Sequence, residues 1–419
     1  MLRGSPDVIV VGAGAAGIIA GWRSSQLGAR TLVLEKTPRI GTKILVSGGG
    51  KCNITHAGTI EEVLKAFRPN EAKFLRPSFY RFTNTEIVDM VTEMGLEVYT
   101  REDKRIFPVH QTAKDVVAML STLLDRCEVR KETPVTGLLL KDGVVKGVST
   151  EFGELECEQV VVCVGGSSFP NSGTTGDGWP WTKDAGHQIV PIRAALAPMY
   201  LQLQWETPSG IAIRDGVLKA RSNGKEIARW RGDTLFTHQG VSGPCALGIS
   251  RIVAATMLDD PVSLEFDLFP DLPFEALRDD FISKTQSNPL RTIATHLETH
   301  FPERIVALIL GDAKIQPSER GKDFTKQARN RLIEVLKGWN LGQVRAVPLE
   351  KGECVAGGVS LDEVDPKTME SLVCKGLYLC GEILDIAGPV GGYNLQAAWS
   401  TGFVAGETAA NAAKSVSRS

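Results

Sequence analysis

The amino-acid sequence predicts an α/β fold with a Rossmann-like, three-layer domain, and three observations predict it. A glycine fingerprint lies between two short apolar runs within the first 36 residues, a β-meander leads into a third such run, and a fourth near the C-terminus ends in a glycine-rich turn. At 419 residues the chain is expected to form two or three globular units, and its 42% hydrophobic content excludes a disordered or fibrous class. A formal charge of −2 gives no global attraction for nucleic acid or anionic lipid, so such a partner needs a local patch. The unusual feature is the 43 glycines, whose positions carry most of the argument.

The first element is the run Asp7 to Val11, read as a buried parallel strand. Gly12, Ala13, Gly14, Ala15, Ala16 and Gly17 follow, then a helix to Leu27 and a second strand, Thr31 to Leu34, ending at Glu35. In this βαβ unit Gly12 permits the tight turn, Gly14 lets backbone approach a pyrophosphate, and Gly17 lets helix pack on strand. The helix N-terminus offers N–H groups to phosphate, and Glu35 stands where an acid accepts from a ribose diol. The strand–turn–helix–strand order, closed by an acid, points to an adenine dinucleotide.

The next segment narrows the ligand. Lys36 follows the acid, and Gly41 to Asn53 contains Lys43 and the run Ser47-Gly48-Gly49-Gly50-Lys51-Cys52-Asn53. Three consecutive glycines leave a backbone that a flat ring or a phosphate can approach closely, and Lys43 and Lys51 bring charge for a pyrophosphate. A mobile surface loop is the plainer reading of the same residues, and a small buried hydrophobe is the plainer reading of Cys52.

The meander comes third. Val135 to Leu140 and Val144 to Thr150 are joined by Asp142-Gly143, a hairpin signal, and Val160 to Val164 is a buried run stopped by Gly165 and Gly166. Near the C-terminus Leu377 to Cys380 is another short strand, stopped by Gly381 and Glu382. Gly391, Gly392, Tyr393 and Asn394 then open a helix of small residues through Ala409. The dipole at that helix start would stabilise negative charge on the pyrimidine edge of a reduced flavin.

Eight scattered cysteines form no Cys-x-x-Cys pair, so no zinc site is expected and they read as reduced core thiols. The longest apolar stretch, Val8 to Trp22, is broken by four glycines and is too short to span a bilayer, which makes a cytoplasmic protein the expectation.

Together these segments resemble the aminoacetone-oxidase-like FAD-binding flavoproteins, also described as YhiN-like or BaiN-like. The resemblance rests on the two glycine motifs above and on Arg105 to Pro108, Thr174 to Pro180, Leu235 to Pro244, Ala356 to Val359 and Gly381 to Asn394, so it covers nearly the whole chain. Lys51 stands where the family usually has Arg. The resemblance implies an FAD domain, residues 1–190 and 353–419, interrupted by an insert over 191–352 with a β-barrel (191–270) and a small helical part (271–352). It implies hydride transfer through the flavin N5, with the FAD held by the fingerprint residues, Glu35, Lys36, Lys43, Gly49, Gly50, Asn53, Val135, Gly165, Gly166, Gly381, Glu382, Gly391, Gly392, Tyr393 and Asn394.

No second dinucleotide fingerprint is present, so NAD(P)H, if it is the electron donor, docks transiently. Reduction of a double bond also needs a proton donor, and Cys52 and Tyr393 are the first candidates, with Asp177, His187 and His238 weaker. Two substrate classes follow from the resemblance: a small molecule, as activated alkene or amine, or uridine in ribosomal RNA reduced to dihydrouridine. A third reading is FAD bound without catalysis. Lys322, Lys326, Arg329 and Lys337 lie opposite an apolar helix face formed by Phe324, Ala328, Leu332, Val335, Leu336 and Trp339, and make a basic strip for RNA, though such a strip is ordinarily only a solvated face.

Overall fold

Val8–Val11 carries no polar side chain and is buried throughout, as a strand covered on both faces must be. It pairs in parallel with Thr31–Leu34 on one side and Val160–Val162 on the other. Leu377–Leu379 and Glu128–Arg130 extend the two edges, again in parallel, giving five strands in the order 377–379, 160–162, 8–11, 31–34, 128–130. This is the Rossmann-like sheet that the apolar runs predict, and it brings Gly12, Cys163 and Cys380 to the same end. The computed structural model describes residues 5–202 and 208–416.

The helix Ala15–Gln26 packs against the C-terminal helix Tyr393–Val416, backbone to backbone at Gly402 and Gly406 and through Trp22–Phe403 and Arg23–Glu407 elsewhere. A β-carbon on Gly402 would stand 2.3 Å from Ala16 O, and one on Gly406 2.2 Å from Ala20 O. The small residues of the last helix therefore serve a helix–helix contact.

The meander strands are Val135–Lys141, Val144–Thr150 and Gly153–Glu156. Lys141 faces Val144 across a turn in which Asp142 (φ 52°) and Gly143 (φ 73°) are both left-handed, the geometry that matches strand twist in a two-residue hairpin.

The chain divides into two units, Met1–Arg193 with Gly352–Ser419, and Ala194–Lys351. The second contains a closed six-stranded barrel of Met199–Leu201, Gly240–Ser242, Lys225–Thr237, Ala212–Ser222, Ser263–Asp267 and Trp339–Ala346. Helices Pro244–Thr256, Phe274–Ser287, Glu303–Asp312 and Lys326–Lys337 accompany it, and the unit has its own apolar core.

Two details of the helical reading change. Thr325 caps Lys326–Lys337 by accepting from Ala328 N–H, so Phe324 precedes the helix, and Gly338 ends it, so Trp339 begins a barrel strand. Lys337 does not belong to a solvent-facing strip. Its ammonium reaches Asp267 and the Phe269 carbonyl at 2.8 and 2.7 Å, because a long stem on a last-turn residue can lie along the helix toward a buried acid. Lys322 and Lys326 are exposed, while Arg329 is half-buried.

Candidate functional site

The residues that build the candidate site lie in the first unit. The fingerprint glycines divide by what surrounds them. A side chain at Gly12 (φ 99°) would strike Cys163 O at 2.8 Å, and one at Gly17 would strike Gly12 O at 1.8 Å, whereas no protein atom lies within 4 Å of the corresponding point at Gly14. Gly12 and Gly17 thus allow close packing, and Gly14 borders open space. Helix Ala15–Gln26 begins there with no side-chain cap, which leaves its leading N–H groups and positive dipole end for an anion. Open room, uncapped N–H groups and an acid one strand away fit the pyrophosphate and ribose of FAD.

Glu35 accepts from Ala13 N–H through Oε2 and from Thr37 N–H through Oε1, each at 2.8 Å. The acid therefore holds the fingerprint turn in place, and each oxygen keeps a second lone pair for a ribose hydroxyl. Thr133 N–H donates to the Glu35 carbonyl at 2.9 Å, which sets the start of the meander, and Val135 with it, beside this acid. Lys36 is diverted: its ammonium is taken by Asp177 and Thr175, so it fastens the 173–177 loop instead of reaching free into the cradle.

Lys43 meets Glu382 and Ser168 Oγ, and Glu382 Oε1 also accepts Val355 N–H at 2.9 Å. A β-carbon on Gly166 would lie 3.3 Å from the Glu382 carboxylate, and one on Gly165 (φ 76°) 2.9 Å from Thr174 Cγ2. Four sequence-expected residues, Lys43, Gly165, Gly166 and Glu382, are thereby brought together. Gly381 places its α-carbon against the first turn of the first helix, at Ala16.

Gly48, Gly49 and Gly50 take φ values of 56°, 67° and 85°, a run of left-handed residues that side chains would strain. Asn53, with its amide set so that Nδ2 donates to Thr55 O and Ile106 O, accepts Gly392 N–H at 2.8 Å. It clasps the glycine loop to the tail motif. Asn394 spends its amide on Gly388, accepting N–H at 2.8 Å and donating to O at 2.9 Å, so it shapes the tail loop. Glu71 is buried and accepts Ala387 N–H at 3.3 Å, fixing the same loop from the helix Pro69–Arg81.

Of the proton-donor candidates, Cys52 does not fit. Its side chain is fully buried and burial pushes the thiol up to about 12, so it is a packing residue held at φ 63°. Tyr393 is half-buried; burial raises its phenol, and its ring stacks on His56 at 4.8 Å between centroids. His187 is buried between Glu363 (3.1 Å) and Ser371 (2.8 Å), and Asp177 is paired with Lys36. His238 belongs to the other unit and is exposed.

Two residues outside the expected set join this region. His56 accepts Gly58 N–H through Nδ1 at 3.0 Å, which places the ring proton on Nε2, and burial lowers its pKa. It faces Arg105 across the short sheet formed by Thr55–His56 and Arg105–Pro108. Glu353 precedes the strand Cys354–Val359 and feels both Lys43 and Arg105. His56 stands three residues past Asn53, a proximity that could have found it; Glu353 has no local motif.

A family model described as HI0933-like protein Rossmann domain matches residues 6–408. The chain belongs to this family. A relative from Haemophilus influenzae, named ribosomal RNA dihydrouridine synthase, is 30% identical over 404 residues, covering 94% of this chain and 96% of its own. Another, the 3-dehydro-bile acid delta(4,6)-reductase of Clostridium scindens, is 28% identical over 407 residues, covering 96% and 98%. Among solved structures, the 3-ketosteroid delta1-dehydrogenase of Sterolibacterium denitrificans superposes with a TM-score of 0.53 at 15% identity, covering 97% of this chain and 100% of that one, a likeness of fold. Family, fold and nucleotide cradle make the chain an FAD-dependent oxidoreductase. No described helix is long and apolar enough to cross a membrane.

Proposed function

We propose that the protein reduces a carbon–carbon double bond conjugated to a carbonyl. The observation that carries this reading is that two full-length relatives with unlike substrates are both named for such chemistry: a uracil ring in one case and a steroid-like dienone in the other. Bound FAD supplies the hydride. The chain's own part is position and charge. Gly14 and the first helix hold the pyrophosphate, Glu35 the ribose, and the Asn53–Gly392 clasp keeps the glycine loop and the tail at a fixed spacing. Lys43, paired with Glu382, places charge at the same end. NAD(P)H is the proposed electron donor, visiting the site in alternation with the substrate. Eight free thiols suit a reducing, cytoplasmic setting.

A narrower reading, uridine in ribosomal RNA as the substrate, is favoured by the Haemophilus relative and by exposed Lys322 and Lys326. Anaerobic reduction of the flavin by NADH or NADPH, followed by mixing with a conjugated alkene, a uridine-containing RNA or oxygen, tests both. Fast reoxidation by alkene or RNA supports reduction. Turnover of an amine with oxygen alone would replace it by an oxidase, and a flavin that no donor reduces would leave a passive binder.

A further inference from the structure

Two helices of the first unit begin with unmet N–H groups. Those of Ala15, Ala16 and Gly17 find no acceptor among the described residues, and neither do those of Tyr393, Asn394 and Leu395. The helices run parallel, because Gly402 meets Ala16 O and Gly406 meets Ala20 O. The start of the second therefore projects from the Gly402 contact back to Tyr393, about 14 Å at the helical rise per residue. The first start suits the pyrophosphate, and the second, at the reach of a ribityl chain, suits the electron-rich edge of the flavin ring.

Tyr393 opens the second helix, and its ring lies against Gly391, where a β-carbon would meet Cε2 at 2.6 Å. His56 stacks on that ring, 4.8 Å between centroids and 24° between planes. The strand that carries His56 is fixed to the same turn: a β-carbon on Gly392 would stand 2.6 Å from Thr55 O, and Asn53 accepts Gly392 N–H. Gly58 N–H occupies His56 Nδ1, so the imidazole presents Nε2–H, and Tyr393 presents its hydroxyl. Neither donor has a hydrogen-bond partner among the described residues, and neither atom is buried. Burial of the rings disfavours charge on both, so both keep their protons as neutral donors.

We propose that the Tyr393 hydroxyl and His56 Nε2–H hydrogen-bond the carbonyl oxygen of the substrate and so activate its conjugated double bond toward hydride. The proposal rests on the reductase reading above. As the hydride, with its electron pair, bonds to the alkene carbon remote from the carbonyl, the π pair shifts and the carbonyl oxygen takes on enolate charge. Donors fixed at that oxygen stabilise the charge more than they stabilise the ground-state carbonyl, which is what raises the rate. A proton from water then bonds to the carbon beside the carbonyl, and the C=O bond is restored. A reduced nicotinamide donor returns two electrons to the cofactor.

The test compares wild-type, Y393F, H56N and H56Q holoenzymes. Phenylalanine keeps the ring stack and removes only the hydroxyl. Asparagine keeps an acceptor for Gly58 N–H and removes the donor, whereas the glutamine amide reaches the place of Nε2. Dithionite-reduced enzyme, mixed anaerobically with cyclohex-2-enone or a uridine-containing RNA, should reoxidise roughly 100-fold more slowly in Y393F and in H56N, with partial recovery in H56Q. Reoxidation by oxygen, which offers no carbonyl to hold, should keep its wild-type rate. The affinity of the oxidised holoenzyme for 4-chlorophenol, a mimic of the enolate, read by flavin absorbance, should fall roughly 10-fold in Y393F and in H56N. Wild-type rates with the carbonyl acceptors in Y393F and H56N overturn the assignment. So does an equal loss of the oxygen reaction, which would make the pair a support for the cofactor. Failure of wild-type reduced flavin to react with either carbonyl acceptor overturns the reductase reading, and the proposed step with it.

Discussion

Glu35 accepts two backbone N–H groups, from Ala13 and Thr37, so its replacement acts on the fingerprint turn as well as on a ribose. Glu35→Ala leaves both donors without their acceptor, and each such loss costs ~1–3 kcal/mol when the group stays shielded from water. The expected outcome is a lower melting temperature together with weaker FAD retention, read by thermal denaturation and flavin-fluorescence titration. Glu35→Gln, which keeps one acceptor oxygen, should fall between. An Ala variant that retains FAD as wild type does would remove Glu35 from the site. Cys52 gives the opposite expectation. Its sulfur is buried and its thiol is pushed to about 12, so it keeps its proton at neutral pH, a weak acid sealed away from any substrate. Cys52→Ala should slow turnover by less than ~10-fold, against the ~100-fold or more that loss of a proton donor brings. A steady-state rate reduced a hundredfold in a variant with normal flavin absorbance would restore the residue to the chemistry.

The helix pair 15–26 and 393–416 shows what small residues do at the level of an element. Gly402 and Gly406 sit on the backbone of Ala16 and Ala20, and the first of these residues belongs to the fingerprint itself. Gly402→Val should destabilise the protein by ~3 kcal/mol or more, since neither partner is a flexible side chain that can yield. Because the displaced backbone is the first turn of the pyrophosphate helix, FAD affinity should fall in the same variant. A denaturant midpoint and an FAD dissociation constant both unchanged would show that the helices part without cost. Elements such as these were legible in the sequence because their signals are local: Asp142-Gly143 lies inside its own hairpin, and the fingerprint lies between the strands it joins. The site's closing contacts were not. Lys43 with Glu382 is separated by 339 residues, Asn53 meets Gly392 through a backbone N–H, and Glu353 feels Lys43 and Arg105, both far upstream. No periodicity reports such pairs. The end of the helix 326–337 was misplaced for a related reason: Trp339 keeps the apolar period but follows Gly338, and its strand partner is Phe266, far upstream.

For the whole molecule, a net charge of −2 means that RNA, if it is the substrate, must be held by residues whose charge the protein does not itself consume. Much of the insert's positive charge is consumed. Arg231 lies between Asp215 and Asp271, Arg221 meets Glu265, Arg214 meets Asp233, and Lys337 meets Asp267. Lys322 and Lys326 are exposed and make no ion pair among the described residues, so they remain for phosphate. Each contact with a single-stranded phosphate contributes ~0.7 to the slope of log affinity against log salt. Replacing both lysines by glutamate should therefore weaken binding of a uridine-containing RNA and flatten that slope by about 1.4. Both residues belong to the second unit and the nucleotide cradle is built by the first, so the flavin spectrum and reduction by a small enone should not change. RNA binding with the same salt slope in the double variant would move the interface off this face. Loss of enone reduction in step with RNA binding would mean that the insert itself had been damaged.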